Sequence, residues 1–211
     1  MLELELWETD NHFCGQNNID AMVAASGCVR TVAASLYKIA NDIRFMACGP
    51  RAGFGELQLP EVQPGSSIMP GKVNPVMAEA LLMVIAQVFG NDNAVLHGVY
   101  GSYFELNTMF PVTARNLNES VDLLAKSVIA FTEDCVRGIE VTSAGPSGVE
   151  RGLMLGTALA PVLGYDIAAT IAKTAAKEGK SIREVALRDT NLTAEELEKL
   201  LDPLAMTQPD S

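Results

Sequence analysis

The segment from Val76 to Gly90 constrains the fold more than any other part of this 211-residue chain. As a helix it is apolar around nearly its whole circumference, and only Glu79 and Gln87 interrupt it. A helix of this composition must be enclosed by other helices. The chain offers few amphipathic helices for that purpose, so we expect other chains, or sequence outside this one, to complete its burial.

A second long helix is predicted to begin at Met22. Its apolar and small residues recur at alternating spacings of three and four over more than three heptads, which is typical of a helix packed in a bundle. The predicted seam consists of Met22, Ala25, Val29, Val32, Leu36, Ile39, Ile43 and Met46. We expect Gly49-Pro50 to end this helix, because proline removes a backbone donor and glycine has low helix propensity.

A third long helix is predicted from about Pro111 to Asp134. Its apolar residues have bundle spacing, and they are Leu117, Val121, Leu124, Val128 and Phe131. We see no convincing strand in the chain. The fold class is therefore predicted to be all-α, with a long-helix bundle over residues 1–138.

After Gly138 the pattern changes to shorter elements. Residues 145–148, Gly-Pro-Ser-Gly, are predicted to form a turn, and Gly179 closes a helix that begins near Asp166. Two capping boxes, at Ser181 and Thr193, begin further short helices. Residues 139–211 are therefore predicted to form a small C-terminal helical domain.

Composition excludes several classes of partner. The net charge is −11, which disfavours nucleic acid and anionic membranes because phosphate binding requires clustered Lys and Arg. The longest apolar run, Ala80 to Gly90, is too short to span a bilayer. The start, Met1 to Glu5, is acidic and lacks the apolar region of a signal peptide.

Cysteine and histidine usage gives little support for a metal site. The four cysteines form no CxxC pair, and there are only two histidines, His12 and His97. Cys28 and Cys48 fall in helical apolar sequence, where buried reduced thiols are expected. A cytoplasmic location without metal or organic cofactor fits this pattern.

Glycine and proline are concentrated between residues 49 and 75. This stretch holds five of the 17 glycines and five of the 10 prolines. A structureless connection of this length in a compact protein is usually functional. We therefore place a candidate catalytic loop at residues 61–75.

This loop has the chemistry of an anion cradle. Gly65 and Gly71 let backbone amides approach a ligand closely, and Lys72 supplies a positive charge. Asn74 is predicted as N-cap of the following helix, with Pro75 at its first position, so the positive end of the helix dipole lies behind the cradle. A plain surface loop with an N-cap is the alternative that composition leaves open.

The full string resembles the signature of class II fumarases, aspartases and related lyases. It reads Gly65-Ser66-Ser67-Ile68-Met69-Pro70-Gly71-Lys72-Val73-Asn74-Pro75. Flanking segments are similar to the same family in order and spacing, and they are Lys38 to Arg44, Gly49 to Arg51, Gln87 to Asp92, Phe104 to Asn107 and Gly164 to Asp166. The resemblance covers the chain from about Asn11 onward.

The resemblance implies roles for individual residues. Ser66 is the base that removes the proton beside a substrate carboxylate, and Glu79 pairs with a histidine that activates water. The implied contacts to the dicarboxylate substrate, fumarate or malate, come from Ser67, Lys72, Val73 and Asn74. Proton removal builds a doubly charged aci-carboxylate, which Lys72 and a helix N-terminus would stabilise.

The resemblance also implies an assembly. Members of this family are homotetramers whose central helices form one bundle, with each active site drawn from three subunits. Their subunit is roughly twice as long, and its N-terminal half contributes the catalytic histidine. No such motif is found here, since His12 and His97 do not match that position. We therefore expect the isolated chain to be inactive without a complementing N-terminal half.

Three functions follow as alternatives. Fumarate hydratase is preferred, because Gly71 and Phe104 to Asn107 are typical of fumarases. Aspartate ammonia-lyase is the second, since Gly179 to Glu184 and Asp202 to Pro209 resemble aspartases. The third is a non-catalytic assembly subunit that retains the loop.

Overall fold

A computed structural model describes residues 5, 7–49 and 51–208 of the chain. The prediction of an all-α fold is confirmed. The helices are α1 His12–Gln16, α2 Asp20–Met46, α3 Val76–His97, α4 Phe110–Asp134, α5 Ala144–Arg151, α6 Ala160–Leu163, α7 Tyr165–Glu178, α8 Ile182–Asp189 and α9 Ala194–Leu200. Short 3-10 turns cover Gly98–Gly101, Val136–Gly138, Leu153–Leu159 and Ala205–Thr207.

The expectation that strands are absent was wrong in detail. The described residues include four strands of two residues each, namely β1 Leu57–Gln58, β2 Ser102–Tyr103, β3 Leu106–Asn107 and β4 Glu140–Val141. Strands β2 and β3 form an antiparallel hairpin in which Ser102 pairs with Asn107. Two-residue strands are too short to show an alternating pattern in sequence.

Three earlier predictions fall partly on residues outside the described part of the chain. These are the acidic opening segment at Met1–Leu4, the helix-ending role of Pro50, and Pro209 in the aspartase-like C-terminal stretch. Among the described residues, α2 ends at Met46, with Ala47 as its C-cap residue. The helix therefore stops before Gly49.

The chain divides into two compact units. One unit contains Met1–Gly53 and Leu57–Glu140, and we call it the bundle unit. The other contains Phe54–Glu56 and Val141–Ser211, and we call it the C-terminal unit.

In the bundle unit, α3 packs against both α2 and α4. Its fully buried large side chains are Leu81, Ile85, Val88 and Val95. The helix extends to His97, well past the apolar stretch that predicted it. The described residues do not enclose α3 completely, since Met83 is 68% exposed.

The predicted seam of α2 was wrong by one position on one of its two rows. The buried residues are Ser26, Ala33 and Ala40, whereas the predicted Val32 and Ile39 are 54% and 48% exposed. The other predicted row, Val29, Leu36 and Ile43, is partly buried against the core. Small side chains at the seam let the α2 backbone approach its neighbours closely.

Helix α4 repeats this pattern. Leu124 and Phe131 are buried as predicted, but Val121 is 49% exposed, and Ser120 and Thr113 are buried instead. Thr113 lies close to Gly98, the C-cap residue of α3, because a Cβ added to Gly98 would be only 2.2 Å from Thr113 Oγ1. The close helix contacts therefore depend on small residues on both sides.

Polar side chains join α2 to the far end of α3. Ser26 Oγ donates to Asp92 Oδ1 at 2.7 Å, and Arg30 Nη1 donates to Asp92 Oδ2 at 2.7 Å. Asp92 is 9% exposed, so its charge is paired where it is buried. This contact fixes the register of the two helices at that end.

The C-terminal unit encloses its own apolar core. Its fully buried large side chains are Leu155, Leu159, Ile182, Val185, Leu197 and Leu201. Both predicted capping boxes are confirmed, at Ser181 with Glu184 and at Thr193 with Glu196. Gly179 ends α7 with a φ of 68°, as predicted for a glycine C-cap.

The predicted turn at residues 145–148 was wrong, since these residues lie inside α5. Pro146 occupies the first turn of the helix, where its missing N–H has no intrahelical acceptor to lose. Ser147 N donates to Ser143 O at 3.1 Å, which begins the helical hydrogen bonding.

The expectation of buried thiols at Cys28 and Cys48 was also wrong, because both residues are exposed. Cys135 is the buried cysteine, and burial raises the pKa of its thiol. No helix in the described ranges combines the length and apolarity needed to cross a bilayer.

Candidate active site

The candidate site is built on the irregular loop that leads into α3. Residues 59–75 form no helix or strand. The neck of the loop is closed at Gly65, whose N–H donates to Lys72 O at 2.8 Å and whose carbonyl accepts from Asn74 Nδ2 at 2.8 Å. The segment between Gly65 and Asn74 is thus held as a closed loop.

Glycine is required at this neck for space. A Cβ on Gly65 would be 2.3 Å from the Lys72 carbonyl oxygen and 3.0 Å from Asn74 N. Gly71 has a φ of +75°, and a Cβ added there would have nothing within 4 Å, so glycine is required for the backbone conformation and not for space. The two glycines predicted to allow close approach therefore act in different ways.

Ser66 lies just inside the neck and is half-buried. Its Oγ accepts hydrogen bonds from Ile68 N at 3.1 Å and from Met69 N at 3.2 Å. Two backbone donors on one hydroxyl oxygen stabilise negative charge on that oxygen, as in an oxyanion hole. The local fold therefore supplies part of what a serine needs to act as a base.

The prediction that Asn74 caps α3 was wrong. Helix α3 begins at Val76, Pro75 is its N-cap residue, and no side chain accepts from its first turn. The Asn74 amide instead reaches back to Gly65, nine residues earlier. The donors of the first turn are left uncapped by side chains, which preserves the positive end of the helix for an anion.

The other predicted substrate contacts lie on the outer part of the loop. Ser67, Lys72 and Val73 are exposed, and Val73 is 45% exposed. The structure thus brings Ser66 and Asn74 to the neck through Gly65, while Lys72 joins them through its backbone carbonyl. Their shared use of a substrate stays a prediction.

Glu79 lies in the first turn of α3, and its side chain is 40% exposed. Its Oε1 atom is 4.0 Å from Arg44 Nε on α2. The sequence assigns no role to Arg44, which lies at the end of the family-like segment Lys38 to Arg44. No local pattern could have indicated its contact with Glu79, because that contact depends on the register between α2 and α3.

The two histidines lie elsewhere. His12 Nε2 is 2.8 Å from Glu8 Oε1 on the surface, and the His97 ring packs against Tyr100 at 5.3 Å. In the part of the chain that the structure describes, no three His, Cys, Asp or Glu side chains converge as metal ligands would.

Two family models match parts of the chain. A family model described as lyase matches residues 2–90, which include the loop, and a model described as fumarase C C-terminus matches residues 155–208. The chain belongs to the fumarase/aspartase superfamily. The two matches lie in order along the chain.

Curated superfamily relatives are similar over nearly the whole chain. A class II fumarate hydratase from Caulobacter vibrioides is 54% identical over 191 residues, covering 90% of this chain and 41% of the relative. A class II fumarate hydratase from Corynebacterium glutamicum is 49% identical over 212 residues, covering 98% of this chain and 45% of the relative. The chain therefore spans less than half the length of the curated relatives it matches.

Solved structures of the superfamily share the fold. A recombinant class II fumarase from Schistosoma mansoni has a TM-score of 0.87 at 36% identity, covering 96% of this chain and 42% of that one. A fumarate lyase:delta crystallin from Brucella melitensis has a TM-score of 0.89 at 43% identity, covering 98% and 45%.

Proposed function

We propose that this chain contributes the proton-abstracting loop of a class II fumarate hydratase, which interconverts fumarate and (S)-malate. The observation that carries the proposal is the pair of backbone donors on Ser66 Oγ. An unassisted serine is a poor base at neutral pH. Each donor to an oxyanion is worth about 3 to 4 kcal/mol, so two donors lower the cost of the alkoxide substantially.

In the proposed mechanism, the Ser66 alkoxide removes a proton from the malate carbon next to a carboxylate. The electron pair moves into that carboxylate and forms the aci-carboxylate. This intermediate then expels the hydroxyl group, which leaves as water after gaining a proton from the histidine that another part of the enzyme supplies. Lys72 and the uncapped start of α3 stabilise the extra charge where it develops.

The remaining predicted residues bind the substrate or position a catalytic group. Ser67, Val73 and Asn74 contact the dicarboxylate, and Glu79 orients a histidine that another part of the enzyme supplies. The mechanism requires no metal or organic cofactor. We assign residues 1–138 to the C-terminal part of the central bundle domain and residues 139–211 to a small C-terminal domain.

We further propose a cytoplasmic homotetramer. Its support is the apolar surface that remains on the long helices, including Met83 at 68% and Ile129 at 64% exposure. Large apolar side chains left exposed on packed helices are what a subunit interface would cover. In the assembly, these faces would pack against other subunits or against the sequence by which relatives exceed this chain.

The test uses a grafted subunit, in which this chain replaces the matched 41% of the Caulobacter vibrioides relative. Its mass is measured by light scattering, and fumarate is followed by its ultraviolet absorbance. We expect fumarate from malate and none from aspartate. Fumarate from aspartate would instead support the ammonia-lyase, and an assembled graft without turnover on either compound would support a non-catalytic subunit.

A further inference from the structure

Helix α2 presents a regular series of side chains towards α3. The buried small residues Ser26, Ala33 and Ala40 recur every seven residues. Arg30 and Arg44 each follow a member of that series by four residues, so they occupy equivalent positions two heptads apart. Both arginines therefore lie along the same edge of the α2 seam.

The two arginines meet carboxylates at opposite ends of α3. Arg30 pairs with Asp92 at 2.7 Å, and Arg44 faces Glu79 at 4.0 Å. Asp92 and Glu79 are thirteen residues apart, which is about 20 Å along a helix. Because the small seam brings the helices close together, we take the Arg44–Glu79 separation to be set by backbone packing and by the Arg30–Asp92 pair at the far end, in which the carboxylate is buried.

The two pairs differ in kind. The Asp92 side chain is 12% exposed and accepts two short hydrogen bonds, whereas Arg44 and Glu79 are 47% and 40% exposed. A half-exposed ion pair contributes little to folding stability. At 4.0 Å the contact is too long for a hydrogen bond, so it is Coulombic and leaves the Glu79 oxygens able to accept from another group.

We infer that Arg44 is a positioning residue that holds the Glu79 carboxylate in place for the histidine it pairs with. This inference rests on the proposed function. Arg44 acts through Glu79 and does not itself contact the substrate. Its charge is what matters, so lysine can replace it in part.

The test uses the grafted subunit with four variants: Arg44→Met, Arg44→Lys, Glu79→Gln and the double variant Arg44→Met/Glu79→Gln. Lys38→Met is the matched control, because Lys38 is a cation of the same helix that pairs with Asp42. We expect Arg44→Met to lower kcat about 10- to 100-fold, the range for a misplaced catalytic group. KM and the melting temperature should stay close to those of the unmodified graft.

The remaining variants decide whether Arg44 acts through Glu79. We expect Arg44→Lys to recover most of the lost kcat, Lys38→Met to match the unmodified graft, and the double variant to be no slower than Glu79→Gln alone. An active graft in which Arg44→Met leaves kcat unchanged, or adds its full effect to Glu79→Gln, would overturn the inference alone. An assembled but inactive unmodified graft would overturn the proposed function and this inference with it.

Discussion

The C-terminal unit and the bundle unit bury different kinds of side chain. In the C-terminal unit, short helices with their own caps enclose large aliphatic residues such as Leu159, Ile182 and Leu197. In the bundle unit, α2 buries only small residues, with Ala33 fully inside while the adjacent Val32 is 54% exposed. The C-terminal unit encloses its core with its own helices. The bundle unit presents an additional apolar face that a larger assembly is proposed to cover.

The largest expected effect breaks the core of the C-terminal unit. Leu197→Ala removes a fully buried side chain from α9 and should cost about 2 to 5 kcal/mol of unfolding free energy. Urea denaturation of the chain measures this cost. Leu187→Ala is the control, since that side chain is 49% exposed and its loss should cost less than about 1 kcal/mol. Equal costs would mean that this core is not the closed cluster described above.

The next effect tests the close packing of α2. Ala33→Leu inserts volume into a seam with no exposed surface and should cost about 1 to 3 kcal/mol. Val32→Leu, one position away, should change the unfolding free energy by less than about 0.5 kcal/mol, because Val32 points largely to solvent. If the two variants denatured at the same urea concentration, the assignment of the small seam to the helix contact would be lost.

A smaller effect concerns the capping boxes that make the C-terminal unit self-sufficient. Ser181 Oγ accepts from Glu184 N at 3.2 Å, so Ser181→Ala should cost about 1 kcal/mol. The matched control is Ser143→Ala, because Ser143 is the N-cap of α5 without a side-chain cap hydrogen bond. Thermal melting separates the two, and an equally large drop for Ser143→Ala would rule out the cap as the cause.

The smallest effect is a pH dependence in the C-terminal unit. Hydrogen bonds from Arg188 and then Lys180 lower the pKa of Glu178 from 4.5 to about 2. A carboxylate with a depressed folded pKa stabilises the protein above pH 4.5, and this contribution is lost as the pH falls towards 2. Arg188→Met should flatten the decline of melting temperature over that window.

The control for this pH dependence is Arg151→Met, since Arg151 Nε donates to the Ser147 carbonyl and not to a carboxylate. Its melting curve should fall with pH as steeply as that of the unmodified chain. If Arg188→Met left the fall of melting temperature with pH unchanged, the assignment of this pH dependence to Glu178 would be contradicted.

Local signals in the sequence predicted the C-terminal unit well. The capping boxes at Ser181 and Thr193 and the glycine cap at Gly179 depend on residues within one turn, so the sequence contains the whole interaction. Residues 145–148 were wrongly predicted as a turn because Gly and Pro favour turns. Proline is, however, tolerated in the first turn of a helix, where Pro146 lies.

The bundle unit was harder to predict because its helices have more than one apolar face. Val32 and Ile39 have the spacing of a seam, and periodicity alone cannot tell a face buried within the chain from another apolar face. The role of Asn74 was missed because the contact that uses its amide is not local. The Asn74 amide donates to the Gly65 carbonyl, nine residues away, and no side chain caps the start of α3.

The chemistry of the loop was predicted from residue types, but its geometry was not. Residue types indicated the anion cradle, the family resemblance implied Ser66 as the base, and the need for donors followed from the chemistry of an alkoxide. The identity of those donors, Ile68 N and Met69 N, depends on how the backbone turns after Ser66. Arg44 beside Glu79 likewise depends on the register between α2 and α3, which no local pattern specifies.

The most direct test of the central claim compares two adjacent serines in the grafted subunit, Ser66→Ala and Ser67→Ala. If the neck of the loop presents Ser66 as the base, Ser66→Ala assembles normally but loses fumarate formation from malate by at least about 100-fold in kcat. Ser67→Ala should mainly raise KM, since that residue is assigned to binding. A Ser66→Ala enzyme that retained the kcat of the unmodified graft would contradict the account.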